Sequence, residues 1–257
     1  MKKNICILSA FVFVLSVSGC QNKPNNADVS NAENPKASGT ITEQADAQKN
    51  VDNKEINPGD VITFGHYEQD NNIDNGTEPI EWQVLSVDGD DVFVWSSKVL
   101  DNKYYNDQLE DVTWETCSLR KWLNEEFYQT AFSASEQSAI IETRNTTPGD
   151  ENVGADGGND TDDYVFVLSV EEVNQFYTVD PKTGCSDLKI RPTKYAHDTA
   201  NYVTKMYAYY WLRSPRSPRA VKAAGGDYGA IGECGITYEK YGVRPAMHLS
   251  LSSLSSL

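Results

Sequence analysis

The hydrophobic pattern changes character along the chain. It opens on a thirteen-residue apolar run, Ile5 to Val17, which ends at Ser18-Gly19-Cys20. A membrane-spanning helix needs about 20 apolar residues, so this run is too short to cross a bilayer. From Gln21 to about Ile56 no aromatic residue appears, and Asn, Ala, Asp, Lys, Glu, Ser and Gln dominate. Such a stretch cannot bury enough apolar surface to offset the cost of ordering its backbone.

Beyond "NPGD" at Asn57 to Asp60, aromatic and β-branched residues arrive together. "VITFGHY" (Val61 to Tyr67), "IEWQVLSV" (Ile80 to Val87) and "DVFVWSS" (Asp91 to Ser97) read as strands, with a hairpin turn at Asp88-Gly89-Asp90. The period then lengthens. Leu119, Trp122, Leu123 and Phe127 fall on one helical face, which predicts a helix from Trp114 to Phe127. Ser133-x-x-Glu136 is a capping box opening a second helix through Ile141. Asn145 to Asp163 is an acidic, Gly-rich loop. "YVFVLS" (Tyr164 to Ser169) reads as a strand that runs into a second capping box, Ser169-x-x-Glu172, with Val170, Val173 and Phe176 on one side of a helix. A further helix fits Thr193 to Val203. The remainder is β-like and turn-rich, ending in a low-complexity "SLSSLSSL". Strands at both ends with helices between them predict an α+β domain over residues 57–251, with 252–257 as a flexible tail.

Lys2 and Lys3 precede the first apolar run, and small residues follow it, as in a secretory signal. Val17-Ser18-Gly19-Cys20 resembles the lipobox of bacterial lipoproteins. That resemblance implies a signal peptide over 1–19, a diacylglyceryl group on Cys20 and a mature chain held to the outer face of the cytoplasmic membrane. Residues 20–56 then form a tether with a random-coil reach of about 30 to 35 Å. Charge agrees with a membrane contact made by lipid alone. The chain has 22 Lys and Arg against 38 Asp and Glu, net −16, and losing Lys2 and Lys3 with the signal takes it to −18. This balance repels phosphate backbones, which excludes nucleic acid as a partner.

Outside the signal the cysteines are Cys117, Cys185 and Cys234, an odd number without CxxC spacing. They exclude a disulfide framework and leave one bridge, Cys185 to Cys234, open.

"PIEWQVLSVDGDDVFVWSSKVLD", "VTWETCSLRKWLNEEFYQTAFSASEQ", "VFVLSVEEV", "YYWLRSP" and "GVRPAMHL" occur in an order that resembles an uncharacterised bacterial family of secreted and surface proteins, over Gly59 to Leu251. The resemblance supplies no activity and no catalytic residues. The layout is more distantly similar to the C-type-lectin-like fold of the formylglycine-generating enzymes. Their copper site needs paired cysteines, which Cys234 lacks.

Candidate chemistry is sparse. His66, His197 and His248 have no partner at catalytic or metal-ligand spacing, and no phosphate or dinucleotide fingerprint is present. Arg213 in "WLRSP" and Arg244 in "GVRPA" interrupt apolar strands; each reads either as a staple for the C-terminal strands or as a ligand contact. Asp156, Asp160 and Asp162 of the acidic loop supply hard oxygens for Ca²⁺, or form a solvated surface. Tyr228, Tyr238 and Tyr241, interleaved with glycine, make an adaptable contact surface. The sequence therefore points to a lipid-anchored binding module for a carbohydrate or protein, with a cell-envelope hydrolase or modifying enzyme as the alternative.

Overall fold

The computed structural model describes residues 55–178, 188–200 and 206–257. The expected signal, lipidated Cys20, all of the tether except Glu55 and Ile56, and Cys185 lie outside the described residues. The chain forms β1 (Val61–Tyr67), β2 (Glu78–Asp88), β3 (Asp91–Ser96) and β4 (Asp101–Lys103). Helical turns follow: α1 (Ser118–Trp122), a wide π-turn (Leu123–Phe127), α2 (Tyr128–Ala131) and α3 (Ala134–Gln137). Then come β5 (Ile140–Ile141), β6 (Thr143–Asn145), β7 (Thr161–Asp163), α4 (Val170–Phe176) and α5 (Lys194–Thr199). The chain closes with β8 (Tyr209–Ser217), β9 (Ala220–Gly225), β10 (Ala230–Gly235), β11 (Tyr241–Val243), β12 (Ala246–Ser250) and α6 (Leu251–Leu254).

Two five-stranded sheets result, ordered β1-β2-β3-β12-β5 and β10-β9-β8-β11-β4, with β6-β7 as a separate pair. The first is antiparallel throughout. The second is mixed, because β11 runs parallel to β8. The sheets meet where Trp95 of β3 packs edge-on against Tyr210 of β8 at 5.6 Å. The fold is thus mainly β with short helices, consistent with the α+β expectation. No helix among the described residues is long and apolar enough to cross a membrane.

Several sequence expectations shift. The first helix begins at Ser118, because the Cys117 thiol accepts the Arg120 amide (3.4 Å) as its cap and leaves Trp114 to Thr116 as a turn. The second helix stops at Gln137, since Ile140 and Ile141 pair with β12 instead. "YVFVLS" carries a single bridge, Phe166 to Ala246, rather than a strand. The expected C-terminal tail is helical at its start: Ser250 caps α6, Asp90 holds Ser250 and Ser252, and Leu251 and Leu254 pack on the core. Both capping boxes are present. One also docks its helix, because Glu136 accepts the amide of Gly65 (3.0 Å) at the β1 bulge. Gly65 has φ +70°, and a Cβ there would lie 2.5 Å from the Phe132 ring.

Three buried ionic nodes hold the fold. Arg213, with a side chain 2% exposed, meets Glu172 with both terminal nitrogens at 2.5 Å and also donates to the carbonyls of Val167 and Thr146. The guanidinium of Arg244 lies 3.3 Å from the Trp95 ring centre and donates to the Ser96 carbonyl (2.9 Å); the aromatic face takes the place of a carboxylate. Asp163, fully buried, accepts from Arg120 Nε (2.5 Å), Trp114 Nε1 (3.0 Å), Asn145 (3.0 Å) and Thr161 (2.7 Å). The arginines of "WLRSP" and "GVRPA" are therefore staples. For Arg213 this corrects the ligand-contact reading, because its nitrogens point into the core.

Candidate functional site

Half-exposed aromatic rings gather along the β4 edge of the second sheet. Tyr241 at the start of β11 lies opposite Lys103 of β4. Its ring stacks on Tyr209 (5.5 Å, 22° between planes) and leans on the buried Trp211 at 4.9 Å. Trp211 in turn donates to the Lys103 carbonyl at 2.8 Å. On the other side of Lys103, its ammonium sits 4.4 Å above the Trp122 ring. Trp122 contacts Phe127 at 5.4 Å, Phe127 contacts Tyr67 at 5.2 Å, and Tyr67 meets Tyr195 edge-on at 6.2 Å. Residues from β1, β4, α1, the π-turn, α5, β8 and β11 thus form one belt of ring contacts, in which Phe127 and Trp211 are buried and Tyr67, Trp122, Tyr195, Tyr209 and Tyr241 are partly exposed.

Local sequence explains the positions of these rings. Asn124 fixes the π-turn: its amide donates to the Arg120 carbonyl, and its oxygen accepts the amides of Tyr164 and Val165. The wide turn carries Trp122 and Phe127 at its two ends. Thr193 caps α5 by accepting the Ala196 amide at 3.0 Å, which sets Tyr195 in the first turn beside β1. Tyr209 is 39% exposed, with Gly226 packed close to its ring.

Polar groups punctuate the rings. Asp101, buried, accepts from the Tyr67 hydroxyl at 2.7 Å and pairs with Lys103 at 3.4 Å. Burial, reinforced by the Asp101 charge, pushes the Tyr67 hydroxyl well above the ordinary tyrosine range. Burial also raises Tyr241, whose hydroxyl meets the Cys234 thiol, and Tyr195 is raised by burial and then by Asp101. All three stay neutral hydrogen-bond donors through physiological pH. A row of apolar rings with an ammonium beside it suits ligands with apolar ring faces and polar rims.

The sequence-derived residues divide unevenly. Tyr241 belongs to the belt. Tyr228 (71% exposed) and Tyr238 (77% exposed) flank β10 at opposite ends. The acidic loop carries its aspartates apart from one another's ligand reach among the described residues. Asp160 and Asp162 both pair with Arg144, at 3.4 and 3.2 Å, and Asp156 accepts the Gly158 amide. Among the described residues, the acidic group that does come together is Glu68, Asp70 and Glu78, with ligand atoms within 4.8 Å of one another. Those carboxylates accept the loop amides of Gln69, Asp70 and Asn72. Sequence reasoning missed Tyr67, Trp122 and Tyr195, since their helix and strand periods mark them as core.

The three histidines sit on three different elements. His66 is exposed on β1, His197 of α5 contacts its neighbour Asp198, and His248 of β12 stacks on Phe93 at 4.3 Å with Asp91 at 2.7 Å. Cys117 and Cys234 are free and buried. Burial pushes the Cys117 thiol up to about 12 from an ordinary value of 9.0. A thiol raised in the folded state favours folding fully below about pH 9 and loses that contribution as pH rises through about 12. Native protein at pH 8 is expected to leave Cys117 unalkylated by iodoacetamide while urea-unfolded protein is labelled completely; equal labelling by mass spectrometry would contradict the burial.

A family model described as Domain of unknown function (DUF6273) matches residues 89–251. The match opens within the β2–β3 turn, although β1 and β2 are full members of the first sheet. No curated protein matches the chain. No solved structure matches it either.

Proposed function

The chain belongs to the DUF6273 family, and since that membership brings no activity with it, we propose from the site itself that the protein is a lipid-anchored surface module that binds carbohydrate. The belt from Tyr195 through Trp122 to Tyr209 carries this reading. Ring faces stack on the C–H faces of sugars while the partly exposed Lys103 ammonium meets hydroxyl groups. Cys20 holds the domain to the outer face of a bacterial membrane, residues 21–56 give it reach, and the excess of acidic residues keeps it from anionic polymers. The C-type-lectin-like layout belongs to the same proposal, as a β-rich frame that presents an irregular surface.

The test is retention of the full-length chain on glycan and peptide arrays. Wild type is expected to be held by glycans, and Tyr209→Ala to lose about tenfold or more of that retention with an unchanged melting temperature. Retention by peptides alone would replace carbohydrate with a protein ligand, and equal retention by the variant would move the site elsewhere. The anchor is tested by intact mass of membrane-extracted protein, where a species without acyl mass at Cys20 would refute lipidation.

A further inference from the structure

A cleft of about 530 Å³ opens between the β1–β2 hairpin and the segment leading into α5. Its lining includes Asp70, Glu78 and Glu81 from the hairpin, and Lys98, Arg191 and Thr193 from the facing segments. The arrangement is fixed by backbone: Ser97 donates to the Glu81 carbonyl (2.9 Å), Val99 to Arg191 (3.3 Å), Thr193 to Val99 (2.9 Å), and Tyr195 to Gln69 (2.9 Å). Glu78 is held by the amides of Gln69 and Asp70, at 2.7 and 3.3 Å.

Both signs of charge line this cleft without neutralising each other. Among the described residues Lys98, Arg191 and Glu81 enter no ion pair, in a chain where acidic residues outnumber basic ones 38 to 22. Opposite charges that share a cleft yet stay beyond pairing distance leave room for a molecule carrying both. Glu78 and Glu81, three residues apart on β2, leave the strand on alternate faces, and Lys98 follows Ser97, whose amide meets the Glu81 carbonyl.

We propose that this cleft binds a short peptide with free termini, its ammonium at Asp70 and Glu78 and its carboxylate at Lys98 and Arg191. The site is separate from the aromatic belt and goes beyond the carbohydrate reading.

Isothermal titration calorimetry on the full-length chain tests it with tri-alanine and its capped forms. Tri-alanine is expected to bind, and N-acetyl-tri-alanine amide to bind roughly tenfold or more weakly. The Lys98→Ala/Arg191→Ala variant should no longer distinguish a free C-terminus from an amide, and Glu78→Gln should no longer distinguish a free N-terminus from an acetylated one. Tyr209→Ala should bind tri-alanine as wild type does, which separates this site's failure from failure of the belt. Equal binding of free and fully capped peptide, or absence of heat with tri-alanine, would overturn the proposal.

Discussion

Replacing Arg213 with alanine is expected to destabilise the domain by about 3–5 kcal/mol, the range for breaking a buried ion pair by removing one partner. The guanidinium is almost wholly buried, and its two terminal nitrogens engage both Glu172 oxygens and the Val167 and Thr146 carbonyls. Glu172, 22% exposed, is held toward Arg213 because one of its oxygens also accepts the Ser169 amide as half of the α4 capping box. Alanine would therefore leave a carboxylate stranded at the start of α4 and two carbonyls without a donor. Against a total stability of about 5–15 kcal/mol, that loss brings the domain close to unfolding. Urea denaturation of Arg213→Ala, Glu172→Ala and the double variant measures the coupling. A loss below about 1 kcal/mol in the arginine variant would mean that the pair is incidental.

Asp163→Ala is expected to abolish cooperative folding. The carboxylate has no exposure and gathers the ring nitrogen of Trp114, the Arg120 guanidinium, Asn145 and Thr161 from four parts of the chain. Each donor orphaned in the interior costs about 1–3 kcal/mol, and the charged arginine more, so the combined cost is comparable to the whole stability. Asp163→Asn keeps the shape and part of the bonding, and should melt cooperatively at a lower temperature. Near-ultraviolet circular dichroism reads the difference directly: alanine should erase the tertiary signal and asparagine should retain it. A native spectrum for Asp163→Ala would contradict the node's importance.

These two nodes show what the sequence could reveal. The capping box at Ser169 and Glu172 was legible from spacing, and so was the interruption of an apolar strand by Arg213, but their meeting was not. Local pattern encodes a cap, whereas the partner of a buried charge is chosen by tertiary packing 41 residues away. Asp163 is an instructive case. In sequence it is the last of an acidic, Gly-rich run, and nothing distinguishes it from Asp160 and Asp162, which face solvent and Arg144. Its burial follows from β7 pairing with β6, a register that two three-residue strands do not announce.

The hairpin at Gly89, the strands around it and the amphipathic helix were legible because their periods extend over many residues. The belt was not, for a related reason. Periodicity marks Trp122 and Phe127 as one apolar face without saying what covers it. Here β1, β4 and α5 cover that face only in part, so Trp122 and Tyr67 stay half-exposed. Tyr241 was found through its glycine neighbours, yet what makes it part of a surface is Tyr209 stacked on it from a distant strand.

The most direct test of the binding account uses the five tryptophans as reporters. Trp82, Trp95, Trp114 and Trp211 are fully buried, and Trp122 alone among them is half-buried in the belt, under Lys103. In a ¹H–¹⁵N spectrum of the full-length chain, titration with an array-selected oligosaccharide should shift the indole resonance of Trp122 most, that of Trp211 less, and leave those of Trp82 and Trp95 in place. A saturating titration that leaves Trp122 unmoved would contradict the belt as the binding surface.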